Sequence, residues 1–289
     1  DSADCRNYVL SLGAMPQLIK AISIPVAKVT SLRTAVGALS KLCGLKPSPQ
    51  LDAVAPALPT LAVLLDHDDT EVKTNACWAI AHISNGSHDR IQRVVEANVI
   101  GKVISLLSVP SDALRMAALR TVGNVATGNN DEQLQVIIDN GALAALHALL
   151  HNHPTCAVQK EVCWCLSNIA AGSVTQIQSV INANLFPAVM NLLDAPEHEV
   201  RKEAAWCIAN TTSGGTNEQL RYLAEIGILD PLCRILALYD YRAVAVALEA
   251  LENFLILGEG DRRDRGLPHN PYAAMLTANG GDEIIGALR

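Results

Sequence analysis

The segments EVCWCLSNIAAG (161–172) and EAAWCIANTTSG (203–214) decide the fold, because they repeat one pattern 42 residues apart. Two further segments, NACWAIAHISNG (75–86) and AALRTVGNVATG (117–128), align with them. The shared anchor position is occupied by Trp78, Arg120, Trp164 and Trp206. Regular recurrence of a whole segment indicates a chain built from stacked copies of one small unit.

A second series of residues has the same period. Small turn residues recur every 43 positions at Asn98, Gly141, Asn184 and Gly227. Glycine and asparagine tolerate a left-handed backbone, so these positions predict turns. The apolar runs that follow them have helical spacing, and they read IGKVISLL (100–107), LAALHALL (143–150), FPAVMNLL (186–193) and LDPLCRIL (229–236).

The predicted fold is therefore all-α, with about 42 residues and three helices per repeat, which is typical of the armadillo and HEAT class. We expect one right-handed superhelical solenoid over residues 1–289, with a partial repeat at the start and about six recognisable repeats. The segments TAVGALSKLCG (34–44) and ALEALENFLILG (247–258) extend the series at its two ends. The glycine-, proline- and charge-rich segment 258–271 is predicted to be a mobile surface loop.

Composition limits the classes of function. Half of the 289 residues are hydrophobic, and the net charge of −7 favours cationic partners over nucleic acids or anionic membranes. The sequence has no apolar run of the length needed to span a bilayer, and no signal peptide is expected. The eight cysteines form no C-x-x-C pair, which favours free, buried thiols.

The anchor helices carry a repeated polar face. Residues three and four positions apart share one face of a helix, and the two best copies read Glu161, Trp164, Asn168 and Glu203, Trp206, Asn210. Asparagine amides can both donate to and accept from a peptide backbone. Indole rings can hold the stems of lysine side chains, and carboxylates can neutralise their charges. The alternative is ordinary core packing, but repetition of the whole face favours a binding surface for an extended basic peptide.

Other chemistry has little support in the sequence. The cluster His147, His151, His153 and Cys156 has zinc-ligand types without a standard zinc spacing, so no metal site is predicted. The sequence has no P-loop and no G-x-S-x-G or H-E-x-x-H motif. We therefore predict neither an enzyme nor a cofactor.

The segments CWAIAHISNG, LRTVGNVATG, EVCWCLSNIAAG and KEAAWCIANTTSGGTNEQLRYL closely resemble the armadillo domain of importin alpha (karyopherin alpha) over most of the chain. The resemblance implies a nuclear-import adaptor that shuttles between cytoplasm and nucleus and binds nuclear localisation signals (NLS) at a major and a minor site. It also implies basic cargo proteins, importin beta and a nuclear export factor as partners. The segment through which the family binds importin beta is absent from this sequence, and no direct contact with nucleic acid or membrane is expected.

By the same resemblance, the residues of the minor site are Trp164, Asn168, Trp206, Asn210, Glu161, Glu203, Ser167, Arg120, Asn124, Thr127 and Gly128. The positions with less support are Trp78, His82, Asn75 and Asn253. The major site departs from the family pattern, because Gly37 and Lys41 stand where a tryptophan and an asparagine are expected. Two interpretations remain open, a fragment of a longer protein and a divergent member. An armadillo scaffold for adhesion or signalling partners is the alternative function.

Overall fold

The computed structural model describes residues 2–24, 28–128, 130–152, 154–238 and 240–287, and every regular element in these ranges is a helix. The all-α prediction is therefore confirmed. The chain divides into two compact units, residues 1–146 (unit 1) and residues 147–289 (unit 2). The prediction of one continuous solenoid domain remains a prediction.

The helices follow one another in groups of three. The first three groups are α1 (Ala3–Ser11), α2 (Ala14–Ile22), α3 (Val29–Cys43); α4 (Leu51–Val54), α5 (Leu58–Leu64), α6 (Thr70–Ser84); and α7 (His88–Glu96), α8 (Ile100–Ser105), α9 (Asp112–Ala126). The next three are α10 (Asp131–Asp139), α11 (Ala142–His151), α12 (Cys156–Ala170); α13 (Val174–Asn182), α14 (Phe186–Leu192), α15 (His198–Gly214); and α16 (Asn217–Glu225), α17 (Leu229–Leu236), α18 (Tyr241–Arg265). Two further helices, α19 (Pro271–Ala278) and α20 (Gly281–Ala287), complete the described chain.

The first group was expected to be a partial repeat, and this stays a prediction. The sequence before the first anchor segment forms two helices, α1 and α2. Ser2 caps α1 by accepting a hydrogen bond from the backbone N–H of Cys5.

The predicted turns are confirmed by their backbone angles. Asn98 and Asn184 both have φ of +54°, while Gly141 and Gly227 have φ of +84° and +91°. Each of these residues joins the first helix of a repeat to the second, in a conformation that most side chains disfavour. The 43-residue series therefore marks one recurring sharp turn.

The third helix of each repeat, here called the anchor helix, stacks on its counterpart in the next repeat. Within unit 1, α3 packs on α6 and α6 packs on α9; within unit 2, α12 packs on α15 and α15 packs on α18. The buried faces of these helices are mostly alanine, valine, leucine, isoleucine and cysteine. Small aliphatic side chains allow close approach of the helices, and their burial supplies most of the stability.

The predicted loop 258–271 is wrong for its first half, because α18 continues as a helix to Arg265. Asp261 is buried and accepts hydrogen bonds from Arg221 of α16. A side chain at Gly258 would collide with Asn270, whose Oδ1 lies 2.0 Å from the position of an added Cβ. Glycine and charge at these positions thus serve helix packing rather than loop formation, and the helix ends at Gly266, which has φ of +64°.

Most of the cysteines are buried, as predicted. All eight are free thiols, and only Cys5 and Cys156 are exposed. Burial raises the pKa of Cys77 and of Cys207 to about 12. No single described helix is long and apolar enough to cross a membrane; α10 and α11 meet that test only together, across a 60° bend.

Candidate functional site

The two complete copies of the polar face lie on neighbouring helices of unit 2. Trp164 and Asn168 are on α12, and Trp206 and Asn210 are on α15. Trp206 keeps 41% of its surface exposed, whereas the core of the same helix is fully buried. Large aromatic side chains are rarely this exposed in a packed interior. The exposed indole therefore favours a binding surface over core packing.

The asparagines have a structural role that the sequence pattern did not indicate. In unit 2, Asn210 Nδ2 donates to the backbone oxygen of Ser167 (2.8 Å), and Asn253 Nδ2 donates to the hydroxyls of Thr212 (3.2 Å) and Ser213 (3.3 Å). Each of these bonds ties one anchor helix to the preceding one. A primary amide has a second N–H and an acceptor oxygen, so each asparagine can still bind a peptide backbone.

Asn168 differs from its two neighbours in unit 2. Its Nδ2 is buried and makes no hydrogen bond to any residue that the structure describes. A buried amide without a partner costs about 1–3 kcal/mol, and a ligand carbonyl that reached it would offset this cost.

The predicted carboxylates differ in environment. Glu161 is only 5% exposed, so it lies beneath the surface rather than on it. Glu203 is half-buried; burial raises its pKa, partly offset by the positive charges of Lys202 and Lys160. The Lys202 ammonium lies 3.8 Å from the Glu203 carboxylate.

Two lysines beside these carboxylates were missed by the sequence reasoning. Glu199 lies between Lys160 of α12 (3.1 Å) and Lys202 of α15 (2.7 Å), and these lysines hold the pKa of Glu199 at about 2. The local acidic charge is thus partly satisfied within the protein. The signal available in the sequence was the recurrence of lysine one residue before the ladder glutamate, as in KE (160–161) and KE (202–203).

Ser167 is buried, and its hydroxyl donates to the backbone oxygen of Trp164 (2.9 Å). Its contribution to the surface is the backbone oxygen that accepts from Asn210. The predicted place of Ser167 among the peptide-binding residues stays a prediction.

The remaining residues assigned to the minor site lie in unit 1. Asn124 is buried, and its Nδ2 donates to the backbone oxygen of Ala81 (2.7 Å), as the asparagines of unit 2 do. Thr127 is exposed and donates to the backbone oxygen of Asn124. Arg120 is half-buried on α9, the helix that also carries Asn124, and Gly128 follows the end of α9.

The face of α3 and α6 in unit 1 has another character. Trp78 stacks on His82 with ring centroids 5.9 Å apart, and burial lowers the pKa of His82. His82 packs against Gly44, where an added Cβ would lie 3.0 Å from Nε2. Asn75 is adjacent to Gly37, and Lys41 is exposed. The departures from the family pattern at positions 37 and 41 thus lie beside Asn75 and His82, where the corresponding helices of unit 2 have glutamate and asparagine.

A second recurring interaction, absent from the sequence reasoning, joins the first helices of successive repeats. Gln133 Nε2 donates to the backbone oxygen of His88 (3.3 Å) and to Gln92 (2.8 Å). Gln219 Nε2 makes the equivalent bonds to Val174 (2.8 Å) and Gln178 (3.1 Å). The positions are 86 residues apart, two repeat lengths, so periodic glutamines were the available signal.

The histidine cluster does not form a metal site among the described residues. His147 and His151 stack with centroids 4.1 Å apart, and His151 Nδ1 is 2.8 Å from the backbone oxygen of His147. Cys156 is exposed at the start of α12, and His153 lies outside the described residues.

Comparison with known protein families matches two parts of the chain. The Armadillo/beta-catenin-like repeat matches residues 130–171 and 173–213, and the HEAT-like repeat matches residues 30–83. Among curated proteins, importin subunits alpha-1b and alpha-1a of Oryza sativa subsp. japonica are each 43% identical to the chain over 289 residues. The chain spans about half the length of these relatives, 54% and 55% respectively.

Solved structures of designed armadillo repeat proteins are also similar. The design YIII(Dq)4CqI is 33% identical, with a TM-score of 0.77, and the match covers 83% of this chain and 99% of the design. The design YIII(Dq.V1)4CPAF, solved in complex with the peptide (KR)4, is 35% identical with the same TM-score and the same coverage.

Proposed function

This chain belongs to the armadillo-repeat family and is homologous over its whole length to importin alpha subunits, and we propose that it binds basic nuclear localisation signals as a nuclear-import adaptor. Armadillo-repeat and importin alpha proteins are non-enzymatic adaptors, in agreement with the prediction that the chain is not an enzyme. The observation that carries the proposal is the exposed indole of Trp206 beside Glu203 and Asn210 on α15.

The indoles bind the side chains of the cargo. The exposed Trp206 offers an apolar surface to the stem of a lysine or arginine, and the ring face attracts the cationic head. Trp164 is half-buried and offers a smaller surface on the neighbouring helix. Each contact contributes about 0.5–2 kcal/mol, depending on how much water it excludes.

The asparagines bind the cargo backbone. Asn210 retains one amide N–H and its side-chain oxygen after binding Ser167, and Asn253, whose Nδ2 donates to both Thr212 and Ser213, retains its side-chain oxygen. These groups pair with an N–H and a C=O of an extended peptide. Asn168 supplies a further amide N–H from beneath the surface. Backbone pairing fixes the peptide without reading its sequence, so specificity comes from the indoles and the carboxylates.

The carboxylates select for positive charge. Glu203 is half-buried, so it interacts with an approaching ammonium in a medium that screens charge less than bulk water. Lys202 is its neighbour in the free protein, and a cargo lysine takes over part of that pairing. We place the contacts mainly at Trp164, Asn168, Trp206 and Asn210, which corresponds to the minor site.

A similar protein that was solved with a basic peptide supports the proposed binding of basic cargo. A designed armadillo protein that is 35% identical was solved with the alternating lysine–arginine peptide (KR)4. We propose three classes of partner for this chain: basic cargo, importin beta and a nuclear export factor. The corresponding localisation is shuttling between cytoplasm and nucleus.

The test is the binding of a fluorescein-labelled lysine- and arginine-rich localisation peptide, measured by fluorescence anisotropy. The double variant Trp164→Ala, Trp206→Ala is expected to bind at least about tenfold more weakly, because two indole contacts are lost. Trp78→Ala, at the equivalent position of unit 1, is the matched control and should retain the affinity. Equal binding by the double variant and the unmodified protein would refute the proposal.

A further inference from the structure

Unit 1 has a cavity of about 450 Å³ that lies outside the basic-peptide surface proposed above. Its apolar lining comes from Val9, Leu42 and Leu45, and its polar lining includes Arg6, Lys41 and His82. Among the described residues that line it, none is acidic. An apolar pocket with cationic groups and no carboxylate fits a ligand that is both apolar and negatively charged.

Arg6 is the first source of positive charge. It is only 4% exposed, and its guanidinium donates to the backbone oxygens of Gly44 (2.6 Å), Leu45 (2.9 Å) and Pro47 (2.6 Å). The remaining N–H groups donate to Asn7. All these acceptors are uncharged, so the hydrogen bonds satisfy the donors without neutralising the cation.

Arg90 adds a second buried cation nearby. It is 6% exposed and donates to the backbone oxygens of Asn85 and Pro49. Its pKa is lowered, mainly by burial and additionally by the positive charge of Arg6. Within the described chain, neither arginine lies within ion-pair distance of a carboxylate, and Lys41 does not either.

This arrangement is uncommon, because a buried charge is normally paired. The backbone at the rim is also strained, since Leu45 has φ of +67°, a conformation that bulky residues rarely adopt. Arg6 holds Leu45 in this conformation through the bond to its carbonyl oxygen. Strain and uncompensated charge at one cavity are features that recur at ligand-binding sites.

We infer that this cavity binds a short acidic and apolar peptide segment of a partner protein, with an aliphatic side chain on Val9 and Leu42 and a carboxylate paired with Lys41. The ammonium of Lys41 makes the direct ion pair, because it is exposed while both guanidiniums are already fully or largely engaged. Arg6 and Arg90 contribute a positive potential from beneath the surface. The ligand preference is opposite to that proposed for unit 2.

The probe for this site is a fluorescein-labelled peptide of alternating leucine and glutamate, about ten residues long. Binding to the full chain is measured by fluorescence anisotropy and repeated with Lys41→Glu and Val9→Asn. Both positions are exposed enough for these changes to leave the fold intact. Lys41→Glu is expected to weaken binding at least about tenfold, since attraction becomes repulsion, and Val9→Asn about threefold.

Two controls separate this site from the surface in unit 2. Lys20→Glu makes the same charge change at an exposed position outside the cavity lining and should leave affinity within about twofold. Trp206→Ala should lower the affinity for the basic peptide and leave the affinity for the acidic probe unchanged. The two proposals can therefore fail independently. The inference is overturned if the unmodified protein does not bind the acidic probe, if Lys41→Glu has no effect, or if Trp206→Ala abolishes acidic binding.

Discussion

Glu203 shows how one residue of the surface depends on its charged neighbours. Its carboxylate is half-buried, and burial raises its pKa, while Glu199 and Glu161 add to the increase and Lys202 and Lys160 oppose it. Glu199 stands in contrast, because its two lysine partners hold its pKa at about 2. The two carboxylates therefore respond differently when the pH falls.

Affinity for a basic peptide should decrease as the pH is lowered from about 7.5 into the acid range. A raised pKa means that Glu203 becomes protonated at a higher pH than an ordinary glutamate, so its attractive charge is lost earlier as the pH falls. Glu203→Gln should bind more weakly at pH 7.5 and show a flatter pH profile. Fluorescence anisotropy with a peptide of lysine and arginine alone measures this, because those side chains do not titrate in this range.

The control for this profile is Glu199→Gln, which keeps Glu203, so a decrease with falling pH should remain, displaced to lower pH because Glu199 no longer raises the pKa of Glu203. His198 contacts Glu199 at 3.1 Å, so all variants are compared in a His198→Asn background, which removes the imidazole from this cluster of charges. An unchanged slope in Glu203→Gln would exclude Glu203 as the titrating group.

Sequence reasoning at the residue scale located the positions but only part of the chemistry. Trp206 and Asn210 recur with the repeat, and their periodicity is visible without a structure. The bond from Asn210 to Ser167 and the position of Lys160 near Glu199 depend on how α12 and α15 stack. Contacts between repeats are set by packing geometry, which a one-dimensional spacing does not contain.

Elements were predicted best where a local backbone requirement selects the residue. The four positive-φ turns required glycine or asparagine, and each was identified from the 43-residue series. The extension of α18 was missed because its signals are tertiary. Gly258, Asp261 and Arg265 resemble loop residues locally, but Asp261 is only 3% exposed and pairs with Arg221 of α16 at 2.6 Å.

The last turns of α18 should therefore depend on the Arg221–Asp261 pair. Asp261→Asn is expected to cost about 1.5–3 kcal/mol, the usual contribution of hydrogen bonds to a charged group. The amides of residues 258–265 should then exchange faster in native-state hydrogen exchange. Asp264→Asn, at an exposed position on the same turn, is the matched control and should leave exchange unchanged. Equal protection in both variants would show that the ion pair is not what holds this segment helical.

At the scale of the whole molecule, periodicity predicted the repeat and the resemblance of whole segments predicted the family, while the cavity in unit 1 emerged only from the structure. The anchor helices of unit 2 present Glu203 and Glu249 beside their asparagines, whereas α3 of unit 1 has no acidic residue. The sequence indicated this decay at Gly37 and Lys41. It could not indicate the cavity beside Lys41, because residues about forty positions apart line it together.

Because of this contrast, each chain should bind about one short basic peptide, and restoring the ladder in unit 1 should add a second site. The double variant Gly37→Trp, Lys41→Asn introduces the missing indole and amide and removes a like charge. The first side-chain atom is tolerated at this position, since an added Cβ at Gly37 would make an ordinary contact with Asn75, at 3.5 Å. Isothermal titration calorimetry should then show the stoichiometry rising from about one to about two, with the new site weaker because α3 lacks carboxylates.

Adding Trp164→Ala and Trp206→Ala to this double variant should leave only the new site. A stoichiometry of about two in the unmodified protein would mean that Gly37 and Lys41 do not disable unit 1.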